Sequence, residues 1–448
     1  MGEFIGRNQE LVLLNRLYDK GSDMVLLTGR RRVGKTRLLK EFMKGKDSLY
    51  FLATNATEAD MLKEFWDCVR PPEGMGNPTG WKDAFRSTIN GKRRVLIIDE
   101  FSYMAKMNES FLIVFQGVFD EILKGSGVMV ILCGSHMSVM KKLSDDENSP
   151  LYGRFDRKIV LRPLPFQSIP STDDIRHDIE MYSIHGGVPR YMELLDFPTV
   201  RENVLENIME PSSTMFSDPL VIMQSDAGGS NVYLSILKAV AEGNTRSSEI
   251  SSALEMPSGK LSPYISKLIE VGMLEKEMPV TDTKDNSKNS RYRVSDYYTA
   301  FWFRFIYPYR SALMRDDTVY AISRFDTDFI QRHVAFVYED ICRESMRMHY
   351  DRIGFVPERV GRYWSKNVEI EVIAIDDNAK KVFLGECKYK SDSVVDRHKL
   401  NELKSKASKI REISDYEKTY GLFSVSGFSE DLENEDVVLF GPEDIFVQ

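Results

Sequence analysis

Apolar residues recur along this chain with changing periods, and the changes divide it into segments. Met24-Val25-Leu26-Leu27, Val95-Leu96-Ile97-Ile98 and Val128-Met129-Val130-Ile131-Leu132-Cys133 are unbroken apolar runs. Such runs suit strands buried on both faces of a parallel sheet. Ser48–Leu52 predicts another strand, and Leu11, Leu14 and Leu17 mark an amphipathic helix before the first. Residues 1–165 are thus expected to form a parallel-sheet α/β core. From 166 to 228 the pattern is helical, interrupted by Gly186-Gly187-Val188-Pro189, a constrained helix entry. Residues 229–296 carry three helical patterns (232–240, 247–254 and 261–269), then Met273–Glu277 and Arg291–Val294 around a polar tip. That succession is the pattern of a winged helix. The aromatic stretch Tyr297–Tyr307 opens a connector, 297–330; its helical spacing suits core, and a stacking surface for single strands is the alternative. Residues 331–448 open on a helix around Glu339. Two strands, Val368–Ile375 and Lys381–Tyr389, then join at Asp376-Asp377-Asn378, before a Lys- and Ser-rich helix over 399–413 that could touch phosphates.

Composition narrows the class. With 42% hydrophobic and 29% charged residues, the 448-residue chain reads as a soluble globular protein of several domains. A net charge of -8 excludes a uniformly basic nucleic-acid binder but leaves room for local patches. Cys68, Cys133, Cys342 and Cys387 have no metal-ligand spacing and read as reduced thiols. No apolar run reaches the ~18 residues of a spanning helix. No signal-peptide pattern stands at the N-terminus, and Gly6 occupies the position where myristoylation needs Ser or Thr. A cytoplasmic protein without a membrane partner is expected.

The first candidate chemistry is Gly29-Arg30-Arg31-Arg32-Val33-Gly34-Lys35-Thr36. This is G-x-x-x-x-G-K-T between a strand and a helix, the phosphate-cradling P-loop. The glycines let backbone N–H groups turn toward phosphates, and the helix N-terminus adds partial positive charge. Lys35 is expected on the β- and γ-phosphates of ATP and Thr36 on Mg²⁺. Gly29, Arg30, Arg31, Arg32, Val33, Gly34 and Arg37 are the remaining nucleotide-binding candidates here, with only part of the basic run needed for phosphate. Asp99 and Glu100 end an apolar strand, where carboxylates are costly unless used. Asp99 is expected to hold Mg²⁺ through water and Glu100 to polarise the attacking water. Ser135, after the third apolar strand, could sense the γ-phosphate. Arg154 is a candidate arginine finger, acting in its own chain or on a neighbour in an ATP-dependent homo-oligomer; a surface arginine at a strand entrance is the alternative. Gly6 and Arg7 begin a turn expected near the base and ribose, or else a helix start without ligand contact.

The Gly6-Arg7…Glu10 box, the Arg-rich P-loop, the Asp99-Glu100 strand end and Gly187-Val188-Pro189 together resemble the archaeal-type ATPases of the STAND/AAA+ superfamily. The resemblance implies an AAA+-like core, a helical lid whose Pro189 contacts nucleotide and reports its state, and a similar aromatic segment after the winged helix. It also implies the C-terminal domain. Alternation places Glu369 with Glu371, and Glu386 with Lys388, on common faces. An acid strand, a hairpin and E-x-K resemble the PD-(D/E)XK nuclease fold, an α/β restriction-endonuclease-like domain. Glu371 and Glu386 would then ligate Mg²⁺, Lys388 would orient the water, and Glu339 would complete the cluster. One departure is that Glu371 stands where the fold usually has Asp, with Glu369 as a substitute ligand. Two functions follow as expectations. One is a nucleotide switch acting on nucleic acid, DNA above all, through the winged helix and the C-terminal domain. The other is a nucleotide-gated regulator or scaffold whose C-terminal domain is catalytically silent and binds nucleic acid or protein. On the winged helix, Ser258, Lys260, Ser262 and Lys267, with wing residues Lys284, Lys288, Arg291 and Arg293, suit phosphate contacts better than base reading.

Overall fold

The computed structural model describes residues 4–69, 76–107, 109–282, 289–389 and 394–445; Lys284 and Lys288 of the wing lie outside them. The chain forms two compact units. The first comprises residues 1–164 together with 188–190 and 270–272, and the second comprises the remainder.

The first unit is built on five parallel strands: β1 (Met24–Thr28), β2 (Ser48–Leu52), β3 (Arg94–Asp99), β4 (Val128–Gly134) and β5 (Arg157–Val160), in the order β2-β3-β4-β1-β5. The three unbroken apolar runs become β1, β3 and β4, and β1 and β4 are buried at every position. Helices cover both faces. Leu14, Leu38, Leu39 and Phe42 close one side over Val25, Leu27 and Ile131. Phe65, Trp81, Phe85, Phe111 and Phe115 close the other over Leu26, Leu96 and Val130. The helices Glu58–Val69, Trp81–Arg86 and Glu109–Val118, which supply that second layer, were not foreseen from the sequence, and edge strand β5 entered only as the strand after Arg154. The chemistry sits at the C-terminal ends of the strands, where an open parallel sheet takes its ligands. β4 separates β1 from β3, so the loop after β1 and the acids after β3 face each other across one strand.

In the second unit, helices run from Ile175–His185 to Thr214–Ala227, followed by Asn231–Ala241, Ser247–Ala253 and Ser258–Glu270. The antiparallel hairpin β6 (Leu274–Glu277) and β7 (Arg291–Val294) comes next. The aromatic stretch is core: Tyr298, Phe301, Trp302, Phe303 and Phe305 of helix Tyr297–Phe305 are at most 1% exposed, which leaves their rings no face for stacking bases. The last sheet contains β8 (Arg359–Trp364), β9 (Glu369–Asp376), β10 (Lys381–Lys388), β11 (Glu417–Ser424) and β12 (Val438–Phe440), ordered β12-β11-β10-β9-β8. β8, β9 and β10 form an antiparallel meander, while β11 and β12 continue parallel to β10. Helices Ala335–Ser345 and Arg397–Ala407 pack on the sheet. The latter is shorter than the expected 399–413, and a single 3-10 turn follows at Arg411–Ile413. β8, β11 and β12 lacked a sequence signal strong enough to place them. Among the described residues, no helix is long and apolar enough to cross a membrane.

Gly29 is the tightest point of the first unit. A Cβ there would fall within contact distance of the Leu161 carbonyl oxygen, a backbone atom that cannot rotate away. Gly29→Ala is therefore expected to cost about 1–3 kcal/mol and to lower the thermal midpoint of the first unit. An unchanged midpoint would mean that β1 and the segment at Leu161 are not locked together.

Candidate functional site

Gly34 caps the helix Lys35–Met43 at φ 91°, in the left-handed region where only glycine is unstrained. Lys35 thereby opens the helix with its side chain turned into the loop. It is only 6% exposed, and its Nζ donates to the carbonyls of Gly29 (2.7 Å) and Arg30 (2.9 Å). The ammonium lies within the curve of the loop, where a phosphate would take over from the two carbonyls. That donor set fits a triphosphate.

Asp99 is the centre of the site and is 2% exposed. Its Oδ2 accepts from the Thr36 hydroxyl at 2.7 Å and from the Tyr50 hydroxyl at 2.6 Å, and its Oδ1 accepts from the Glu100 N–H at 2.9 Å. Burial alone would raise its pKa. The Cys133 thiol, Tyr50, Thr36 and the Glu100 N–H outweigh burial and hold the carboxyl below its ordinary value. Thr36 Oγ1 and Asp99 thus form a pair of hard oxygens at the loop, the donor type Mg²⁺ takes. Tyr50 was missed by sequence reasoning. Its signal was a phenol within an apolar strand, since a half-buried Tyr hydroxyl needs a partner.

Glu100 adopts φ 52°, a left-handed conformation unusual for a non-glycine residue and often found at functional sites. Its carboxylate accepts from the Ser135 hydroxyl (2.8 Å to each oxygen) and from the Ser135 N–H (3.3 Å). Ser135 thus orients Glu100 rather than standing open to a phosphate. Arg7, also left-handed at φ 64°, donates to the carbonyls of Val33 (3.0 Å) and Arg162 (2.5 Å) and pairs with Glu10 (3.1 Å). Burial pushes its pKa down, opposed by Glu10. Arg7, following Gly6, therefore braces the P-loop from behind through Val33, a contact the sequence reading did not anticipate. Pro189 belongs to the first unit, where its Cγ lies 3.6 Å from the Cβ position of Gly34. Arg30 is 3.9 Å from the equivalent position of Gly272. Arg154 forks onto Asp120 (2.8–3.1 Å) and donates to the Pro150 carbonyl (2.9 Å). The side chains of that pair are 26% and 38% exposed, and Nη1 also donates to the Tyr152 carbonyl at 3.3 Å.

In the second unit, Lys388 Nζ sits 2.8 Å from Glu386 Oε1 and 3.7 Å from Glu371 Oε1. Lys406, from the helix Arg397–Ala407, donates to Glu386 Oε2 at 2.7 Å. Glu371 Oε2 accepts the Cys387 N–H. Glu339 lies against Arg362 (3.5 Å) and Arg343 (3.9 Å). Glu369 pairs with Arg291 and Arg362, both at 2.9 Å. The three expected metal residues are neighbours, the Glu386 charge acting on Glu371 and the Glu371 charge on Glu339. Both Glu386 oxygens carry ammonium groups, and among the described residues no three His, Cys, Asp or Glu side chains are grouped to hold a metal. Lys406, Arg343 and Arg362 were not foreseen. They lie on elements whose roles only the sheet topology reveals.

The wing is equally committed. Arg293 reaches Glu275 (2.8 Å), Glu277 (3.0 Å) and Asp340 (2.7 Å). Burial would raise the Asp340 carboxyl, but Arg343 and Arg293 hold it down at about 2. The side chains of the Arg293–Asp340 pair are 35% and 13% exposed, so it is partly buried. Arg291 and Arg293 thus already carry acid partners within the chain. The third helix differs: its Ser258, Lys260 and Ser262 are exposed.

Glu339 gives a pH signature. Burial first, then the Glu371 charge, raises its carboxyl from 4.5 to about 8. The folded state then holds a proton that the unfolded chain releases, so stability falls as pH rises from about 4.5 to about 8. The thermal midpoint of wild type should fall relative to that of Glu339→Gln across this window. Parallel curves would contradict it.

Residues 4–195 match the family described as an ATPase domain predominantly from Archaea. Residues 234–276 match bacterial regulatory proteins of the arsR family, and 302–404 match "Archaea bacterial proteins of unknown function". Among solved structures, the Walker-type ATPase PABY2304 of Pyrococcus abyssi aligns with TM-score 0.45 and 20% identity, covering 67% of this chain and 96% of that one. The ORC2 protein of Aeropyrum pernix aligns with TM-score 0.47 and 16% identity, covering 70% and 95%. The uncharacterized ATP-binding protein MJ0423 of Methanocaldococcus jannaschii is 43% identical over 44 residues, 10% of this chain and 75% of its own length. Uncharacterized protein MJECL04 of the same organism is 30% identical over 447 residues, 98% of this chain and 99% of that protein. The chain therefore belongs to one family with MJECL04, built on an ATPase domain of archaeal type and a helix-turn-helix region.

Proposed function

We propose that the protein is an ATP-hydrolysing switch of the STAND/AAA+ kind that acts on DNA. The observation that carries the first half is the 2.7 Å bond between Thr36 and Asp99 beside Lys35 in the loop's curve. Lys35 would bind phosphate, and Thr36 with Asp99 would hold Mg²⁺, which neutralises phosphate charge when bound. Glu100, braced by Ser135, would orient the attacking water. Pro189 would carry the state of the loop onward, and Arg154 would exchange its pair with Asp120 to serve a neighbouring subunit. Lys35→Ala is expected to abolish ATP binding, and Glu100→Gln to retain binding while losing turnover by about 100-fold or more. Hydrolysis unchanged in both would refute the assignment.

DNA is the favoured nucleic acid because the arsR-family match covers the helices whose last member exposes Ser258, Lys260 and Ser262. Lys260→Ala should weaken duplex binding at every sequence alike and reduce its salt dependence, as loss of a phosphate contact does. For the C-terminal domain, a helix, a three-strand meander, a second helix and a parallel strand support a restriction-endonuclease-like fold. The two lysines on Glu386 favour the silent reading of that domain, because their charges already compensate the anion that would attract a metal. Incubation with single- and double-stranded DNA and RNA, with Mg²⁺ and with or without ATP, separates the two. No cleavage is expected under any condition. Cleavage abolished by Lys388→Ala would restore the nuclease reading.

A further inference from the structure

A cleft of about 690 Å³ lies within the second unit, between the end of helix Asn231–Ala241, hairpin β6–β7, helix Tyr297–Phe305 and the start of helix Ala335–Ser345. Most of its arginines are matched by acids. Arg291 pairs with Glu369, Arg293 with Asp340, Arg324 with Asp328 (2.7 Å), and Arg362 with Glu369. Arg304 is the exception: among the described residues it has no carboxylate within ion-pair distance.

Its position is nonetheless fixed. Arg304 Nε donates to the Ala241 carbonyl (2.5 Å) and Nη1 to the Arg332 carbonyl (2.5 Å). Nη1 also lies 3.1 Å from His333 Nδ1. His333 is 1% exposed, and its Nε2 lies 2.7 Å from the Ser183 carbonyl. Only a neutral ring protonated at Nε2 satisfies both contacts, so His333 accepts from Arg304. Burial accordingly pushes His333 down to about 3. Burial, then the charge of Arg332, pushes Arg304 down to about 10. Among the described residues, Nη2 makes no hydrogen bond. An arginine held by two carbonyls and a neutral imidazole, with one N–H₂ left over in a cleft, is a charge awaiting its counter-ion.

The surroundings indicate what that ion carries. Arg324 and Arg332 line the same end of the cleft and share a single acid, Asp328 (2.7 and 3.5 Å). The other acid at this end, Glu242, is 3.8 Å from Lys238. Three arginines against one shared acid suit a doubly charged phosphate better than a carboxylate. Beside them Phe336 is 47% exposed, with its ring centre 5.9 Å from the Arg304 guanidinium. A half-exposed aromatic face next to a phosphate site suits a base or another flat apolar group.

We propose that this cleft binds a nucleoside phosphate, with the phosphate on Arg304 flanked by Arg324 and Arg332, and the flat group against Phe336. The ligand is either a free nucleotide or the phosphorylated end of a strand. This site is separate from the P-loop and does not depend on the ATPase reading.

The test is calorimetric titration of the full-length Lys35→Ala protein, so that P-loop binding does not mask the second site. The probes are inorganic phosphate, AMP and the 5′-phosphorylated dinucleotide pdTdT. Saturable binding of AMP or pdTdT is expected, about tenfold weaker or more in Arg304→Gln and in Arg332→Gln. Arg332→Gln keeps the backbone carbonyl that positions Arg304, so it removes charge without loosening the site. Phe336→Ala should weaken AMP and leave inorganic phosphate unchanged. Tighter binding of AMP upholds the proposal for a free nucleotide, and tighter binding of pdTdT upholds it for a strand end. No binding of any probe, or binding indifferent to Arg332→Gln with an unchanged melting temperature, overturns it.

Discussion

The first unit depends on keeping one carboxylate charged where water does not reach it. Asp99 is buried to 2% exposure, and an unpaired ion there would take up a proton rather than stay charged. Donors from three strands and the P-loop helix prevent that: Tyr50 from β2, the Glu100 N–H after β3, Cys133 from β4 and Thr36 from the helix. Each donor arrives only because the strand order is β2-β3-β4-β1. The same bonds that satisfy the charge therefore fix the P-loop helix against the acidic strand. Glu100 is set by a second contact of this kind, to Ser135, at the cost of a left-handed backbone.

The second unit is dominated by cations rather than by one anion. Arg293 and Arg362 tie the hairpin and β8 to helix Ala335–Ser345 through Asp340 and Glu339, and Arg362 also reaches Glu277. Lys388 and Lys406 close on Glu386. Within buried networks of this kind, removing one partner costs far more than the pair gains over an apolar substitute. Charged groups that look catalytic or DNA-binding in isolation are thereby consumed in holding the unit together. Arg304 differs because its partners are carbonyls and a neutral histidine, which position it without cancelling its charge.

The strands of the first sheet were legible because burial on both faces leaves unbroken apolar runs, and the P-loop because its spacing is tied to phosphate geometry. β8 was illegible because its six residues, Arg359–Trp364, mix charge with aromatics and reveal their purpose only through Arg362. Tyr50 and Lys406 are single residues brought to a site by sheet order and helix packing, which no local window contains. The E-x-K pair was legible as Glu386 and Lys388, yet spacing along one strand carried no sign of the second lysine that neutralises it. The acid partners of Arg293 and Arg291 were illegible for the same reason, since Asp340 and Glu369 lie 47 and 78 residues away.

Residues 188–190 and 270–272 cluster with the ATPase unit although the chain on either side of each belongs to the other unit. A nucleotide-driven switch should therefore register first at these two segments. Hydrogen exchange of Glu100→Gln, with and without ATP and Mg²⁺, measures this directly. Nucleotide is expected to change protection around Gly29–Thr36 and also at 188–190 and 270–272. Protection confined to the P-loop, with both of those segments unchanged, would contradict it.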